Sequence, residues 1–207
     1  MSKKSYFILI ISYLVIIILL IFFWNSQKKK LKSELLDSIN FVYNILPEAL
    51  IDSAYKQSYY PVISYDSLRN ILNKTCNDRD LKYLYSIIPY REDTFLFIIS
   101  SYTHEDILND MISKYLMPYY HYPDVLNTLS ADNPINYTSY SDEYGSFYSA
   151  FHYFQTSKGN PYIIGADYSL DKIISLNWKF IFIILGVTMI FIFIYIYHKN
   201  LKYNNGL

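Results

Sequence analysis

Two long uncharged segments near the ends of the chain restrict its fold more than any other feature. Residues 6–24 and residues 180–197 consist mainly of Ile, Leu and Phe, and neither segment contains a charged residue. A helix rises about 1.5 Å per residue, so each segment with its flanking residues is long enough to cross a hydrocarbon core about 30 Å thick. We therefore expect transmembrane helices at residues 6–24 and 178–197, with Trp24 and Trp178 at the same membrane face.

The charged residues are distributed unevenly, although the 18 Lys and Arg residues equal the 18 Asp and Glu residues in number. Every acidic residue lies between Glu34 and Asp171, whereas the terminal segments carry lysine and no acid. Lysine-rich tails favour the cytoplasmic side of a membrane. We therefore expect cytoplasmic tails at residues 1–5 and 198–207 and an extracytoplasmic domain at residues 25–177, in a two-pass protein of the inner (plasma) membrane.

The lysines that follow the first apolar segment bear on two further points. Lys28, Lys29, Lys30 and Lys32 lie on the side assigned as external, which opposes the topology suggested by the tails. Long domains cross membranes largely regardless of charge, so the external assignment is kept. Trp24 and these lysines also stand where a signal peptide would carry a small-residue cleavage site, so we expect a retained anchor.

Apolar residues at helical spacing predict the helices of the middle domain. Residues 31–45 carry charges on the opposite face, so they predict a long N-terminal helix that continues out of the first span. Pro47 suits the first turn of a short helix that ends at Ala54. Asp66 offers an N-cap for a helix of residues 66–74. Residues 104–120 have acids in their first turn and predict one more helix.

Aromatic and β-branched runs predict the strands. Residues 81–88 and 93–103 flank the turn sequence PYRED and predict a hairpin. Residues 135–146, 147–156 and 161–168 predict three more antiparallel strands, and the tight-turn sequence SKGN joins the last two. A five-stranded antiparallel sheet with helices on one side is an α+β sandwich of the kind that PAS-like sensors use.

Two sequences within residues 137–173, YTSYSDEYGSFYSAF and KGNPYIIGADYSLDKI, resemble the membrane-proximal part of extracytoplasmic Cache domains. Such domains occur in bacterial chemoreceptors and related sensor kinases and cyclases. The order of elements from about Ser26 to Asn177 is also similar, but similar sequences often carry an arginine and then a proline where this chain has Tyr148 and Tyr153. The resemblance implies a single PAS-like Cache module that detects a small solute and passes a displacement to the membrane helices.

The sequence YSDEYGSF, residues 140–147, is expected to form one lip of a solute pocket against the sheet. Asp142 or Glu143 offers charge to an amine, and Arg91 offers a partner for a carboxylate. The predicted ligand-binding residues are Tyr102, Asp142, Tyr144, Phe147 and Arg91. The alternatives are a solvated hairpin tip at Asp142 and a turn salt bridge at Arg91. Asp167 stands within reach of a ligand amine, but its place before the second span favours a helix cap.

Nothing in the sequence predicts catalysis, a cofactor or a metal site. The chain contains no glycine-rich phosphate loop, no nucleophile elbow and no metal-binding cluster. It also has no basic stripe of the kind that binds nucleic acid. We therefore expect a protein that is not an enzyme and that binds no nucleic acid.

Two functions are compatible with the sequence. The first is a ligand-binding sensor module for an amino acid, an organic acid or an amine. Only ten residues follow Tyr197, so we expect the output to lie in a separate signalling protein or a missing C-terminal domain. The second is a membrane-anchored interaction or scaffold subunit that contacts a protein partner and binds no solute. The long helix of residues 31–45 either supplies the seam of a homodimer or packs on its own sheet.

Overall fold

A computed structural model describes residues 3–58, 60–91 and 93–204, and these residues form an α+β protein. Its elements in chain order are α1 Lys3–Ile45, α2 Glu48–Tyr55, α3 Val62–Arg79, β1 Tyr83–Arg91, β2 Thr94–Ser100, α4 His104–Leu108, β3 Pro118–Tyr119, a 3-10 helix Asp124–Thr128, β4 Ile135–Asp142, β5 Gly145–Gln155, β6 Pro161–Ser169 and α5 Leu170–Asn204. The chain divides into two compact units: Leu31–Ile173 is one, and the rest of α1 and α5 belong to the other.

The helical unit consists of the apolar parts of α1 and α5. Both helices are long and apolar enough to cross a membrane, which is compatible with the predicted two-pass arrangement. The Trp24 ring stacks on Phe180 with 4.8 Å between ring centroids. Two to three helical turns further along, the hydroxyls of Tyr13 and Thr188 lie 3.0 Å apart. The two helices therefore contact each other through aromatic stacking and a hydrogen bond.

The central unit is built on a curled antiparallel sheet in the order β3-β2-β1-β6-β5-β4. The hairpin predicted at residues 81–103 is confirmed as β1 and β2, and the three strands predicted between residues 135 and 168 are confirmed as β4, β5 and β6. The prediction of five strands was wrong by one. The sixth strand is the two-residue β3, which pairs with β2 and is too short for a periodic signal.

Two predicted helices have different bounds in the structure. The helix predicted at residues 104–120 ends at Leu108. Asn109 follows as its C-cap and Asp110 takes a left-handed conformation with φ of 53°, which breaks the helix although apolar residues continue at helical spacing. The helix predicted to start at Asp66 begins at Val62 directly after Pro61, so Asp66 is not its N-cap.

The sheet has a helical face and an open face, because side chains alternate along each strand. The helical face packs on buried residues of α1, α2 and α3, including Leu35, Ile51 and Leu72. The opposite face carries an aromatic cluster that residues 117–129 help to cover. The helices therefore cover one face of the sheet, and the long connection between β2 and β4 packs on the other face.

Helix α2 is fastened to the turn between β5 and β6 by charged side chains. The Lys158 ammonium lies 2.5 Å from Asp52 Oδ2, and Asn160 Nδ2 donates to Asp52 Oδ1 at 2.9 Å. Glu48 accepts from the backbone N–H and the hydroxyl of Ser157. These contacts lower the pKa of Asp52, chiefly through the hydrogen bond from Lys158. The turn is therefore held against the helical face.

Candidate functional site

A small cavity lies on the open face of the sheet. Its volume is about 20 Å³, which is enough for about one water-sized group. The lining residues come from all six strands, from α4 and from the connecting segments. They are Tyr83, Tyr85, Phe97, Ser100, Ser101, Tyr102, Asp106, Met111, Ser113, Tyr119, Tyr140, Asp142, Tyr144, Phe147 and Asp167. Aromatic rings thus form most of the wall, and three aspartates supply its acidic groups.

Asp106 is the first of the three aspartates, and its carboxylate is fully engaged. Thr103 and Asp106 form a capping box at the start of α4, in which Asp106 Oδ2 accepts from the Thr103 N–H at 2.6 Å. The Tyr83 hydroxyl donates to the other oxygen, Oδ1, at 2.8 Å. The carboxylate therefore anchors the start of α4 to β1.

Asp142 is the second aspartate and ends β4. The Tyr119 hydroxyl donates to its Oδ2 at 2.5 Å, and the Tyr144 N–H donates to its Oδ1 at 2.8 Å. Gly145 closes the two-residue turn with φ of 136°, a value that favours glycine. The neighbouring Glu143 pairs instead with His121, at 2.6 Å from Nδ1. The turn therefore directs Asp142 into the cavity and Glu143 away from it.

Asp167 is the third aspartate and the least engaged. It lies in β6, directly opposite Tyr83 of β1 and Ser149 of β5, and is 1% exposed. Its Oδ2 accepts from the Tyr140 hydroxyl at a long 3.5 Å. Within the described part of the chain, neither its Oδ1 nor the Ser149 hydroxyl has a hydrogen-bond partner. The expectation that Asp167 caps the second membrane helix was wrong, because β6 continues to Ser169.

Two tyrosines connect the wall of the cavity to Asp167. The hydroxyls of Tyr85 and Tyr140 lie 3.1 Å apart, and Tyr140 in turn reaches Asp167. The Tyr85 ring lies directly against β6 because the residue opposite it there is Gly165: a Cβ at that residue would be 2.5 Å from Tyr85 Cζ. Gly165 therefore gives the Tyr85 ring its place beside the carboxyl group.

Burial controls the charge of the cavity. It is the main cause that raises the pKa of Asp167 to about 8, while the hydroxyls of Ser149, Tyr140 and Tyr85 oppose the rise and the charge of Asp142 adds to it. Burial also raises the pKa of Asp142, and the hydrogen bond from Tyr119 opposes that rise. Two acids in one cavity thus resist full ionisation.

The residues that line the cavity include no Lys, Arg or His. Arg69 lies behind two lining residues: its guanidinium donates to the Ser113 carbonyl at 2.7 Å and to the Tyr65 hydroxyl at 2.6 Å, and it lies 5.8 Å from the centroid of the Tyr102 ring. Its buried Nε has no hydrogen-bond partner among the described residues. Lys82 pairs with Glu105 at 3.2 Å. The negative charge of the cavity is therefore not balanced by the side chains of its own wall.

Four of the five residues predicted as ligand-binding lie around this cavity. Tyr102, Asp142, Tyr144 and Phe147 are all lining residues. Arg91 is not brought together with them: it is exposed at the end of β1, where its guanidinium lies 5.0 Å from the centroid of the Tyr90 ring. The predicted lip is therefore placed at the cavity, without its arginine.

The sequence analysis missed Asp106 as a cavity residue, and for Asp167 it preferred a helix cap to a place near a ligand amine. A signal for Asp167 was present, since Ile163, Gly165 and Asp167 alternate along β6 and so share one face. Asp106 gave no such signal, because an acid in the first turn of a helix is ordinary.

The arrangement suits a compact organic cation. Among the described residues, no three His, Cys, Asp or Glu side chains are grouped closely enough to hold a metal ion. Aromatic faces and separated carboxylates instead fit a ligand that carries positive charge and N–H donors. No family model matches the chain, and no curated protein of similar sequence was found.

Proposed function

We propose that this protein is a two-pass membrane sensor whose extracytoplasmic domain, of the PAS-like Cache type, binds a small cationic solute of the amine class. One observation carries the proposal: three aspartates line a single buried cavity whose wall has no basic side chain. A buried carboxylate is strongly disfavoured unless it is paired or protonated. A cation that enters the cavity supplies the missing charge.

The wall of the cavity supports a cation rather than an anion. Organic acids would add negative charge beside Asp142 and Asp167, which raises the energy of the complex. An amino acid would bring a carboxylate for which the lining residues offer no basic partner. The rings of Tyr85, Tyr140 and Phe147 present aromatic surface, which attracts cations. Of the three ligand classes expected from the sequence, simple amines are therefore favoured.

The size of the cavity narrows the choice further. About 20 Å³ accommodates an ammonium group and little more. A larger amine requires the segment between α4 and β3 to move, because Met111 and Ser113 of that segment line the cavity. Ammonium and methylammonium are therefore the natural probes, and tetramethylammonium is the matched probe that carries the same charge in a larger volume.

Chain connectivity supports a sensor over a scaffold. Asp167 lies two residues before the end of β6, and α5 begins at the next residue, Leu170. A ligand changes a conformational equilibrium only through different affinities for its two states. Binding at β6 has the shortest covalent route to the second apolar helix, so a shift of this strand reaches the helix with no loop between them.

Thermal unfolding of the full chain in lipid nanodiscs tests the proposal. Ligand that binds only the folded state raises the unfolding temperature with concentration. Methylammonium chloride is expected to stabilise the wild type, whereas sodium chloride, sodium acetate and tetramethylammonium chloride at equal ionic strength are not. Asp167→Asn should remove the effect, and Asp132→Asn, at an exposed turn, should keep it. Equal responses to all four salts would overturn the cation site and favour the scaffold function.

A further inference from the structure

Asp167 differs from the other two aspartates of the cavity in its unmet hydrogen-bonding capacity. Both oxygens of Asp106 and both oxygens of Asp142 accept hydrogen bonds of 2.8 Å or shorter. Asp167 accepts one long hydrogen bond, and within the described residues its Oδ1 accepts none, although the hydroxyls of Ser149 and Tyr85 are near enough to oppose the rise in its pKa. A side chain that is 1% exposed and open on one oxygen needs either a proton or a ligand.

Among the described residues, the groups that act most strongly on the pKa of Asp167 include no cation. The titratable groups that face it from the neighbouring elements are the Cys76 thiol of α3, the phenols of Tyr83 and Tyr85 in β1, and Tyr140 and Asp142 in β4. Ser149 of β5 adds a neutral hydroxyl. Burial raises the pKa of Cys76 to about 12 and that of Tyr85 well above its ordinary value, so these groups stay neutral. Among the described residues, Asp106 and Asp142 are the other acids that line the cavity, and the charge of Asp142 repels a second anion.

We propose that the cavity exchanges a proton for its ligand: Asp167 is a neutral carboxylic acid in the empty site and becomes a carboxylate when an ammonium group enters. This step rests on the proposed function. The O–H bond of the Asp167 carboxyl breaks and its proton passes to bulk water. The carboxylate then accepts N–H hydrogen bonds from the ligand. One monocation enters as one proton leaves, so the net charge of the site is unchanged.

Charge balance explains why the two states have similar energies. Without a proton or a cation, Asp142 and Asp167 place two negative charges in one buried cavity, which is the arrangement that burial disfavours most. A proton on Asp167 removes one charge and provides a donor for the open oxygen. An ammonium group does the same with several donors. Ligand and proton therefore compete for Asp167, and acid weakens ligand binding.

The competition predicts a particular pH dependence. The pKa of Asp167 is about 8 in the empty protein. A ligand that binds only the ionised form then gains about eightfold in apparent affinity between pH 6.5 and 7.5 and about threefold between pH 7.5 and 8.5. Proton release per bound ligand falls from about one to about a quarter over the same range. Methylammonium itself keeps its proton across this range.

Isothermal titration calorimetry with methylammonium chloride tests the exchange on the full chain in nanodiscs. Titrations are run in phosphate and in HEPES at each of the three pH values. The two buffers take up protons with different enthalpies, so the difference between the binding heats in the two buffers gives the number of protons released per bound ligand. The predicted rise in affinity with pH and a buffer-dependent heat support the exchange. Equal affinity at all three pH values with buffer-independent heat overturns it and leaves the amine site standing. The absence of any binding overturns the amine site itself, and the exchange with it.

Infrared spectroscopy of the empty protein gives a second test that needs no ligand. At neutral pH the wild type should show the carbonyl band of a protonated carboxylic acid, and Asp167→Asn should lose that band. Asp132→Asn keeps the same number of acids as Asp167→Asn and should retain the band. Asparagine is a neutral isostere of the protonated acid, so Asp167→Asn is expected to fold. A spectrum without the band, or a band unchanged in Asp167→Asn, contradicts the proposal.

Discussion

Asp106, Asp142 and Asp167 carry the same side chain, and their neighbours give them different roles. Asp106 is bonded to Tyr83 and to the Thr103 backbone, so it organises the start of α4. Asp142 is bonded to Tyr119 and holds a turn. Asp167 has no comparable partner among the described residues. At the scale of single residues, the proposed binding capacity of the cavity therefore resides in the aspartate with the fewest hydrogen bonds.

The pH dependence of stability separates Asp167 from the other acids. Its folded pKa of about 8 exceeds the ordinary carboxyl value of about 4, so the folded protein binds the extra proton. The stabilisation is complete below pH 4 and is lost as pH rises to 8, by up to about 1.4 kcal/mol per pH unit. Asp167→Asn should flatten this decline in thermal unfolding experiments on the full chain. An unchanged slope in the variant, with Asp132→Asn as the control, would show that Asp167 is ionised at neutral pH.

Gly165 is expected to be essential for the position of Tyr85. In Gly165→Ala the new methyl group would approach Tyr85 Cζ to 2.5 Å, and overpacking of this kind destabilises by about 1–3 kcal/mol. Tyr85→Leu should relieve the clash, so the double variant should lose less stability than the two single losses together. Gly186→Ala, where the added methyl meets no atom, serves as the control in thermal unfolding. Additive losses would contradict the contact.

The sequence indicated the cavity residues of the β4–β5 turn, but it did not indicate that Tyr85 and Asp167 lie together. Asp142, Tyr144 and Phe147 were accessible to sequence reasoning because they are close together in a turn. Asp167 and Tyr85 meet only because β1 and β6 are neighbours in the sheet, and strand order is not encoded in the spacing of residues. Their partnership therefore required the structure.

At the scale of elements, the C-terminal part of α1 packs its apolar side chains on the sheet of the same chain. Leu35, Ile39 and Val42 are fully buried in the core of the helical face, whereas Asn40 is exposed. Of the two roles expected for this helix, packing on its own sheet accounts for its apolar residues. A homodimer stays a prediction, but these three side chains are not its seam.

Substitutions on the two sides of α1 provide a direct comparison. Ile39→Ala removes buried methyl groups and should lower the free energy of unfolding by about 2–5 kcal/mol. Asn40→Ala lies next to it in the sequence and should change stability by less than about 0.5 kcal/mol. Denaturant unfolding followed by tyrosine fluorescence measures both. Comparable small losses would mean that the face carrying Ile39 does not pack on the sheet.

Element boundaries were predicted well where the spacing of apolar residues matched the structure along the whole element. They were predicted poorly where a single residue with a positive φ ended a helix. The strands β4, β5 and β6 followed their aromatic and branched runs. The helix predicted at residues 104–120 kept its apolar spacing beyond Leu108, but Asp110 is left-handed and Leu116 also has a positive φ of 61°. The apolar residues after Asp110 cover the sheet without helical structure, a use that periodicity does not reveal.

At the scale of the whole molecule, one prediction concerns the side of the membrane on which each segment lies. A reporter inserted after Asp132, in an exposed turn, should lie outside the cytoplasm, and a reporter fused to Leu207 should lie inside. The reason is that lysine without acid in both tails favours their cytoplasmic retention. Two reporter enzymes, one active only outside the cytoplasm and one active only inside it, measure the location of each fusion site. Signals from the same compartment would contradict the two-pass model.

The binding of radiolabelled methylammonium to the full chain tests the central claim most directly. Equilibrium dialysis against protein in nanodiscs at pH 8.5, in sodium chloride, measures the amount bound per chain. Saturable binding that approaches one ligand per chain, persists in Asp132→Asn and disappears in Asp167→Asn is the predicted result. No saturable binding to the wild type, or equal binding to Asp167→Asn, would contradict a cation site at Asp167.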